Sequence, residues 1–317
     1  MKRIAAAFAL AAASLGAGAQ EFPSKSVTFV VPFAAGTATD TFARALGQAV
    51  SEATKQTVVV DNKPGASGMI AAQFVSKAAA DGYTVLFTTN TTHAANEHLY
   101  KKLSYDPVKD FAPVTLLGKG GQVMVVRNDI AAKSVGEFIA LAKKSPGKIN
   151  FASGSSSSRI AVELFQQMAG VSLLHVPYKS NTLGVTDMLG GTIDMMITDT
   201  TTGLPQVQAG KLRALGYSDA KRSRLAPDVP TIAEAGVKGY EMTYWFAAYA
   251  PAGTPAPVVK RLNELLVAAT RSATARAFFD KTGVDPATST PEGLAAFQAA
   301  ETRKWGEIVK KANIQPE

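Results

Sequence analysis

Two hydrophobic patterns alternate along this chain: short apolar runs without a polar face, and longer stretches with apolar residues every three or four positions. Val27-Thr28-Phe29-Val30-Val31 is of the first kind, β-branched and apolar on both faces. Such runs belong to strands of a parallel sheet covered on both sides. After a turn over residues 32–38, Thr39 or Asp40 can cap a helix in which Phe42, Leu46, Ala49, Val50 and Ala53 recur at helical spacing. A strand at 57–60, a loop from Asn62 to Gly68, a helix from about 69 to 79 and a strand at 84–88 follow. This β-α-β-α-β order with short loops implies a right-handed doubly wound unit.

A second series begins with a strand at 123–126. Ser134 and Glu137 form a capping box ahead of a helix to Lys144. A strand at 149–152 leads into the serine run Ser153-Gly154-Ser155-Ser156-Ser157-Ser158 and a helix to Met168. Strands at 173–176, 193–198 and 212–217 surround a helix at 182–189. The tail reads as a strand at 243–250, a break at Pro251-Ala252-Gly253-Thr254-Pro255, and a helix from near Pro257 through Leu262, Leu265, Leu266 and Ala269. Thr290-Pro291 is the cap and first position of a last helix, whose buried stripe is Leu294, Phe297, Trp305, Ile308 and Val309. The reading is an α/β protein with two similar halves, each of ordinary domain size.

The N-terminus follows neither pattern. Met1-Lys2-Arg3 is positive, residues 4–15 are free of charge and largely apolar, and Ala17-Gly18-Ala19 offers small residues around a cleavage point. This is the pattern of a secretory signal peptide, expected over residues 1–19, and its apolar run is too short to span a bilayer. Its removal leaves 298 of the 317 residues and takes Lys2 and Arg3, lowering the formal charge from +8 to +6. No later run reaches the length of a membrane helix, so a soluble periplasmic protein is expected.

Composition removes whole classes of chemistry. There is no cysteine and only three histidines, His93, His98 and His175. Disulfides, thiolate metal sites and cysteine nucleophiles are excluded, and a multi-His metal centre is not expected. The basic excess is spread out and not interleaved with aromatics, which speaks against nucleic acid. Neither Walker A nor the dinucleotide fingerprint occurs, so no cofactor is expected.

In open α/β sheets, ligands sit beyond the carboxyl ends of the strands. The loops there span residues 32–40, 88–96, 153–158, 177–182 and 198–203, and are rich in Gly, Ser, Thr and Asn. Small hydroxyl residues and free N–H groups at helix starts bind carboxylates or phosphates. Phe33-Ala34-Ala35-Gly36-Thr37 and the serine run each lead into a helix, so two helix N-termini can hold an anion between them. Within the 88–96 loop His93 is the candidate for a polar contact, whereas His175, in an apolar strand, reads as a core residue. No nucleophile elbow occurs, which leaves an exported serine hydrolase on Ser155–Ser158 a minor alternative. The residues favour a protein that binds and does not catalyse.

At these residues the chain resembles the Bug receptors, the solute-binding proteins of tripartite tricarboxylate transporters. The resemblance starts at Pro32-Phe33-Ala34-Ala35-Gly36 with Asp40 and Ala43-Arg44. It continues through Asp61-Asn62-Lys63-Pro64-Gly65-Ala66-Ser67-Gly68, Asp81-Gly82-Tyr83-Thr84, Glu163-Leu164-Phe165 and His175-Val176-Pro177-Tyr178-Lys179. Asp187-Met188-Leu189-Gly190-Gly191, Pro227-Asp228-Val229-Pro230-Thr231 with Glu234-Ala235-Gly236, and Ala250-Pro251-Ala252-Gly253-Thr254-Pro255 complete it.

The resemblance implies two doubly wound α/β domains joined by crossing strands around a cleft, a type II periplasmic binding protein that closes by a hinge. Domain one would take residues 20–122 and about 244–286; domain two would take 123–243 and about 287–317. The strands would cross near 121–123 and 240–244, the helix from Pro257 packing on domain one and the last helix on domain two. By position, Phe33, Ala34, Gly36 and Thr37 would face Ser153, Ser155, Ser156 and Ser157. Thr89, Asn90, Thr91, Tyr178 and Asp199 would set the far end of the pocket. The implied ligand is a small carboxylate held with bound waters, with no metal. The implied partner of the monomeric receptor is a set of membrane permease subunits, or alternatively the periplasmic domain of a sensor kinase. Three positions depart from the pattern: Thr37 and Ser180 where Gly is common, and Arg159, able to reach a carboxylate, where His is common.

Overall fold

A computed structural model describes residues 22–311 and 313–316. The expected signal peptide lies outside these residues. The first unit runs β1 (Val27–Val31), α1 (Ala38–Thr54), β2 (Val58–Asn62), α2 (Met69–Ser76) and β3 (Thr84–Thr89). A π-helical turn (Thr91–Ala95) and α3 (Asn96–Leu99) lead to β4 (Phe111–Arg127). The second unit runs α4 (Val135–Lys144), β5 (Asn150–Ser153), α5 (Ser156–Ala169), β6 (Leu174–Pro177), α6 (Asn181–Leu189), β7 (Met195–Asp199), α7 (Thr200–Gln208) and β8 (Leu212–Tyr217). The tail holds β9 (Thr243–Pro251), α8 (Ala256–Ala269), α9 (Ala273–Thr282), β10 (Asp285–Pro286) and α10 (Pro291–Lys311).

The strand order is β2-β1-β3-β9-β4-β7-β5-β6, with β8 and β10 also paired to β4. β1 is parallel to β2 and β3, and β5 is parallel to β6 and β7. Each half is thus a doubly wound 2-1-3 unit. β9 runs antiparallel to β3 and β4, and closes the gap between the halves. β4 belongs to both: residues 111–121 pair with β9, and from Gln122 onward the strand pairs with β7 and β8. This is a periplasmic binding protein-like α/β fold.

Local chemistry explains most boundaries. Ser134 caps α4 by accepting from the Glu137 N–H, while the Glu137 carboxylate accepts from Lys133 N–H at 2.7 Å. The first helix departs from expectation. Thr37, not Thr39 or Asp40, is its cap, and its hydroxyl accepts from the Asp40 N–H. Asp40 is instead buried in the first turn, where its carboxylate accepts from Gly36 N–H and Asn62 Nδ2, both at 2.9 Å, and from Arg44. Burial opposes its charge, but Arg44, Gly36 and Asn62 outweigh that and hold its pKa below the ordinary carboxylate range.

Several elements escape the hydrophobic pattern, three of them with a clear local cause. The first part of β4 is interrupted by Gly118, Gly120 and Gly121, which weaken a strand signal. At Gly121 the glycine is needed because a Cβ would lie 2.6 Å from the Tyr217 ring. Residues 200–208 form α7 and not a loop, despite three threonines, Gly203 and Pro205, because Asp199 caps it. Ser272 and Gly283 bracket α9, which packs beside α1.

α1, α8 and α9 share one core with β1, β3 and β9, centred on Phe42, Phe87, Phe246, Phe278 and Phe279. α10 packs against β4, the 91–99 segment and α5 alike, and so touches elements of both halves. Among the described residues no helix is long and apolar enough to cross a membrane.

Candidate functional site

A cleft opens at the carboxyl ends of the parallel strands, with about 520 Å³ of space in it and across its open mouth. Four helix starts meet there. Thr37, Ala38 and Thr39 come from α1, Ser155 and Ser157 from α5, Ser180, Asn181 and Thr182 from α6, and Asp199 and Thr202 from α7. In each helix the cap side chain accepts from the third helical N–H: Asp40, Ser158, Leu183 and Thr202 respectively. The first and second N–H groups of a helix have no intrahelical partner, and they carry the positive end of its dipole. The sequence pointed to two such starts; tertiary structure supplies four.

Two of the three departures from the receptor pattern are explained here. Thr37 and Ser180 are caps, with φ of −72° and −157°, so neither position requires glycine. Arg159 faces an adjoining cavity and pairs with Glu163 at 4.0 Å. The close seat between the α5 and α6 starts depends on Gly154, whose N–H donates to Asn181 Oδ1 at 2.9 Å.

The remaining candidates divide by position. Phe33, Thr37, Thr89, Ser155, Ser157 and Asp199 line the cleft. Ser153, Ser156 and Tyr178 line the adjoining cavity instead, because each hydroxyl is engaged elsewhere. Ser153 pairs with His175 Nε2 at 2.7 Å, Ser156 donates to Asn96 Oδ1 at 2.9 Å, and Tyr178 donates to Asp187 at 2.6 Å. The Asp187 carboxylate pushes the Tyr178 phenol up to about 12. Ala34 and Gly36 do not line the cleft. The Ala34 carbonyl accepts from Thr37, and the Gly36 N–H is spent on Asp40.

Asn90 and Thr91 are fully buried and do not reach the cleft, because the chain turns inward into the π-helical turn after Thr89. His93 goes with them. Its ring stacks on Tyr249 at 3.9 Å and meets Phe111 edge-on at 4.7 Å, so it is sealed in the core and does not line the cleft. His175 is likewise misplaced by sequence: β6 is an edge strand, and His175 is half-buried on it, bonded to Ser153.

Burial alone lowers the His93 pKa to about 3, against an ordinary value of 6.5. Between those values the unfolded chain binds the extra proton, so this contribution to stability is complete above pH 6.5 and is lost as pH falls toward 3. The slope is about 1.4 kcal/mol per pH unit. Denaturant midpoints at pH 6.5, 5.5 and 4.5 should fall more steeply for the parent than for His93→Gln. Parallel slopes would remove His93 from the account.

Sequence reasoning missed the floor. Gln122, Tyr244 and Phe246, from the crossing of β4 and β9, line the cleft with Phe33 and Thr89. The available signal was Gln122 itself, a polar residue just before the apolar run from Val123 to Val126. Burial keeps the Tyr244 phenol far above 10, hence protonated. Asp199 is the one charged side chain among the lining residues, and its oxygens accept from Asn181, Thr198, Thr201 and Thr202. Among the described residues no cluster of three metal-ligating side chains occurs.

Known proteins resemble this chain in sequence and fold. A UPF0065 protein in the tcbD-tcbE intergenic region of Pseudomonas sp. (strain P51) is 36% identical over 97% of this chain and 93% of its own length. The structure of Rhodopseudomonas palustris Rpa4515 with adipate superposes with a TM-score of 0.90 at 35% identity, covering 94% of this chain and 100% of that one. MatC from Rhodopseudomonas palustris with bound malate gives 0.85 at 31% identity, over 91% and 100%. Residues 42–314 match the family described as the tripartite tricarboxylate transporter family receptor. This chain belongs to that family.

Proposed function

We propose that the chain is exported, captures a small carboxylate in the cleft by hinge closure, and presents it to the membrane subunits of a tripartite-type transporter. The observation that carries this reading is the convergence of four helix N-termini on a cleft lined by one acid and no cation. The adipate and malate named for the two Rhodopseudomonas palustris structures support it. Phe33, Thr37, Thr89, Ser155 and Ser157 are the proposed contacts, with bound waters completing the shell. The domains would move about the 121–122 crossing of β4 and the segment entering β9.

Energetics suffice for this task. Each helix dipole contributes about 0.3–1 kcal/mol, and each hydrogen bond to a charged group about 1.5–3 kcal/mol. Micromolar binding needs about 8 kcal/mol in net terms. Thermal unfolding of residues 20–317 with adipate, malate and the uncharged adipamide tests the reading. At a hundredfold excess over Kd a ligand stabilises by about 2.7 kcal/mol, which is a rise of roughly 5–10 °C. A carboxylate should produce that rise and adipamide should not. A flat response to every small carboxylate, with none co-purifying, would overturn the proposal.

A further inference from the structure

A buried charge stands behind one wall of the cleft. Asp40 follows Thr39, which lines the cleft, yet its own side chain is 4% exposed and does not line it. Its carboxylate ties the 33–37 loop together. One oxygen accepts from the Gly36 N–H at 2.9 Å. The other accepts at 2.9 Å from the Asn62 amide, which also donates to the Phe33 carbonyl at 3.0 Å. In the second half the N–H at the same place, Gly154 before the cap Ser155, is held by the neutral Asn181 side chain. A carboxylate grips a donor more strongly than an amide oxygen does, but its charge also opposes an anion at the same helix start. No cation among the lining residues offsets it. Arg44 does so from outside the cleft. Its guanidinium meets both Asp40 oxygens, at 2.9 and 3.1 Å, and donates to Asn62 Oδ1 at 3.1 Å, while half of its side chain stays in solvent.

We propose that Asp40 and Arg44 are positioning residues for carboxylate capture: Asp40 holds the 33–37 loop in its binding shape, and Arg44 cancels the charge that Asp40 would otherwise set against the incoming anion. The proposal rests on the carboxylate reading above. Neither residue lines the cleft, so both act through Phe33, Thr37 and the first N–H groups of α1. Without the guanidinium the loop keeps its Gly36 and Asn62 bonds, but the Asp40 charge stands uncompensated. Without the carboxylate the loop loses both ties at once.

Calorimetric titration of the full mature chain with adipate and malate tests this at about 0.01 M and about 1 M salt, between which the screening length falls from about 30 Å to about 3 Å. Arg44→Met, which keeps an unbranched stem, should bind about ten-fold more weakly than the parent at the lower salt and within about three-fold of it at the higher. Adding Asp40→Asn to Arg44→Met should restore the low-salt affinity to within about three-fold of the parent, because the asparagine oxygen accepts from Gly36 without a charge. Asp40→Ala, which offers no acceptor, should lose about a hundredfold at either salt, and Asn62→Ala, which frees the Phe33 carbonyl, about ten-fold. Circular dichroism melting checks that each variant folds. Parent-like binding by Arg44→Met, or a deficit that ignores salt and survives Asp40→Asn, would overturn the role of Arg44. Parent-like binding by whichever of Asp40→Ala and Asn62→Ala folds would overturn that of Asp40. Either result leaves carboxylate capture standing. Silence from both probes in the parent protein would overturn the carboxylate reading and this inference together.

Discussion

Replacing Gly154 by alanine should cost this protein about 3 kcal/mol and more than a hundredfold in carboxylate affinity. A Cβ there would lie 1.9 Å from the Ser180 carbonyl carbon, 2.1 Å from the Asn181 nitrogen and 2.4 Å from the Ser180 oxygen. All three are backbone atoms, so no side chain can swing aside. The loop before α5 and the start of α6 must separate, and overpacking of a fitted site costs about 1–3 kcal/mol or occasionally more. The melting temperature should fall by roughly 6–12 °C. Affinity falls further because the parted segments carry Ser155, Ser180 and Asn181, which line the cleft. Gly136→Ala is the matched control: a Cβ there meets nothing within 4 Å, and alanine is the better helix former. If the two variants melt and bind alike, the close-approach account is wrong.

Truncating Phe42 to alanine should cost about 3–5 kcal/mol, the range for a buried aromatic. Its fully buried ring stacks on Phe278 at 4.4 Å and meets Phe279, Phe246 and Phe87 at 5.1, 5.3 and 5.5 Å. Four elements, α1, α9, β9 and β3, are thus held through one side chain. The effect extends to binding, because α1 presents Thr37, Ala38 and Thr39 to the cleft and Phe246 forms part of its floor. Phe42→Leu, which keeps most of the volume, should recover more than half of the loss. Chemical denaturation measures both; a cost below about 1 kcal/mol for the alanine variant would show that the cluster relaxes around the void.

The parallel units were legible because their signals are local. Val27–Val31 is apolar on both faces, and the 42-46-50 spacing fixes the buried face of α1. Ser134 with Glu137 marks the start of α4 within four residues of chain. The serine run announced a helix start whether or not a ligand exists, since a cap satisfies the same orphan N–H groups that bind anions. α9 could have been read from Ser272 and Gly283, a cap and a left-handed stop. The first half of β4 could not, because its glycines make room for Tyr217 and Val284, which lie far away in sequence.

The same contrast holds at the site. Thr37, Ser155 and Asp199 were nameable as polar residues where strand gives way to helix. Asn90, Thr91 and His93 have that same composition and yet lie buried, because the chain after Thr89 enters a π-helical turn packed under α10. Gln122 and Tyr244 gave little sign of a role, since each reaches the cleft through strand pairing between distant segments. By itself the sequence determined the alternating strands and helices, the caps and the anion-seeking helix starts, all set by period and propensity within a few residues. Tertiary structure alone decided which four starts converge, which polar residues face the cleft and which are sealed away. Those outcomes depend on how β4 and β9 cross between the halves, and no local pattern encodes a pairing between strands more than a hundred residues apart.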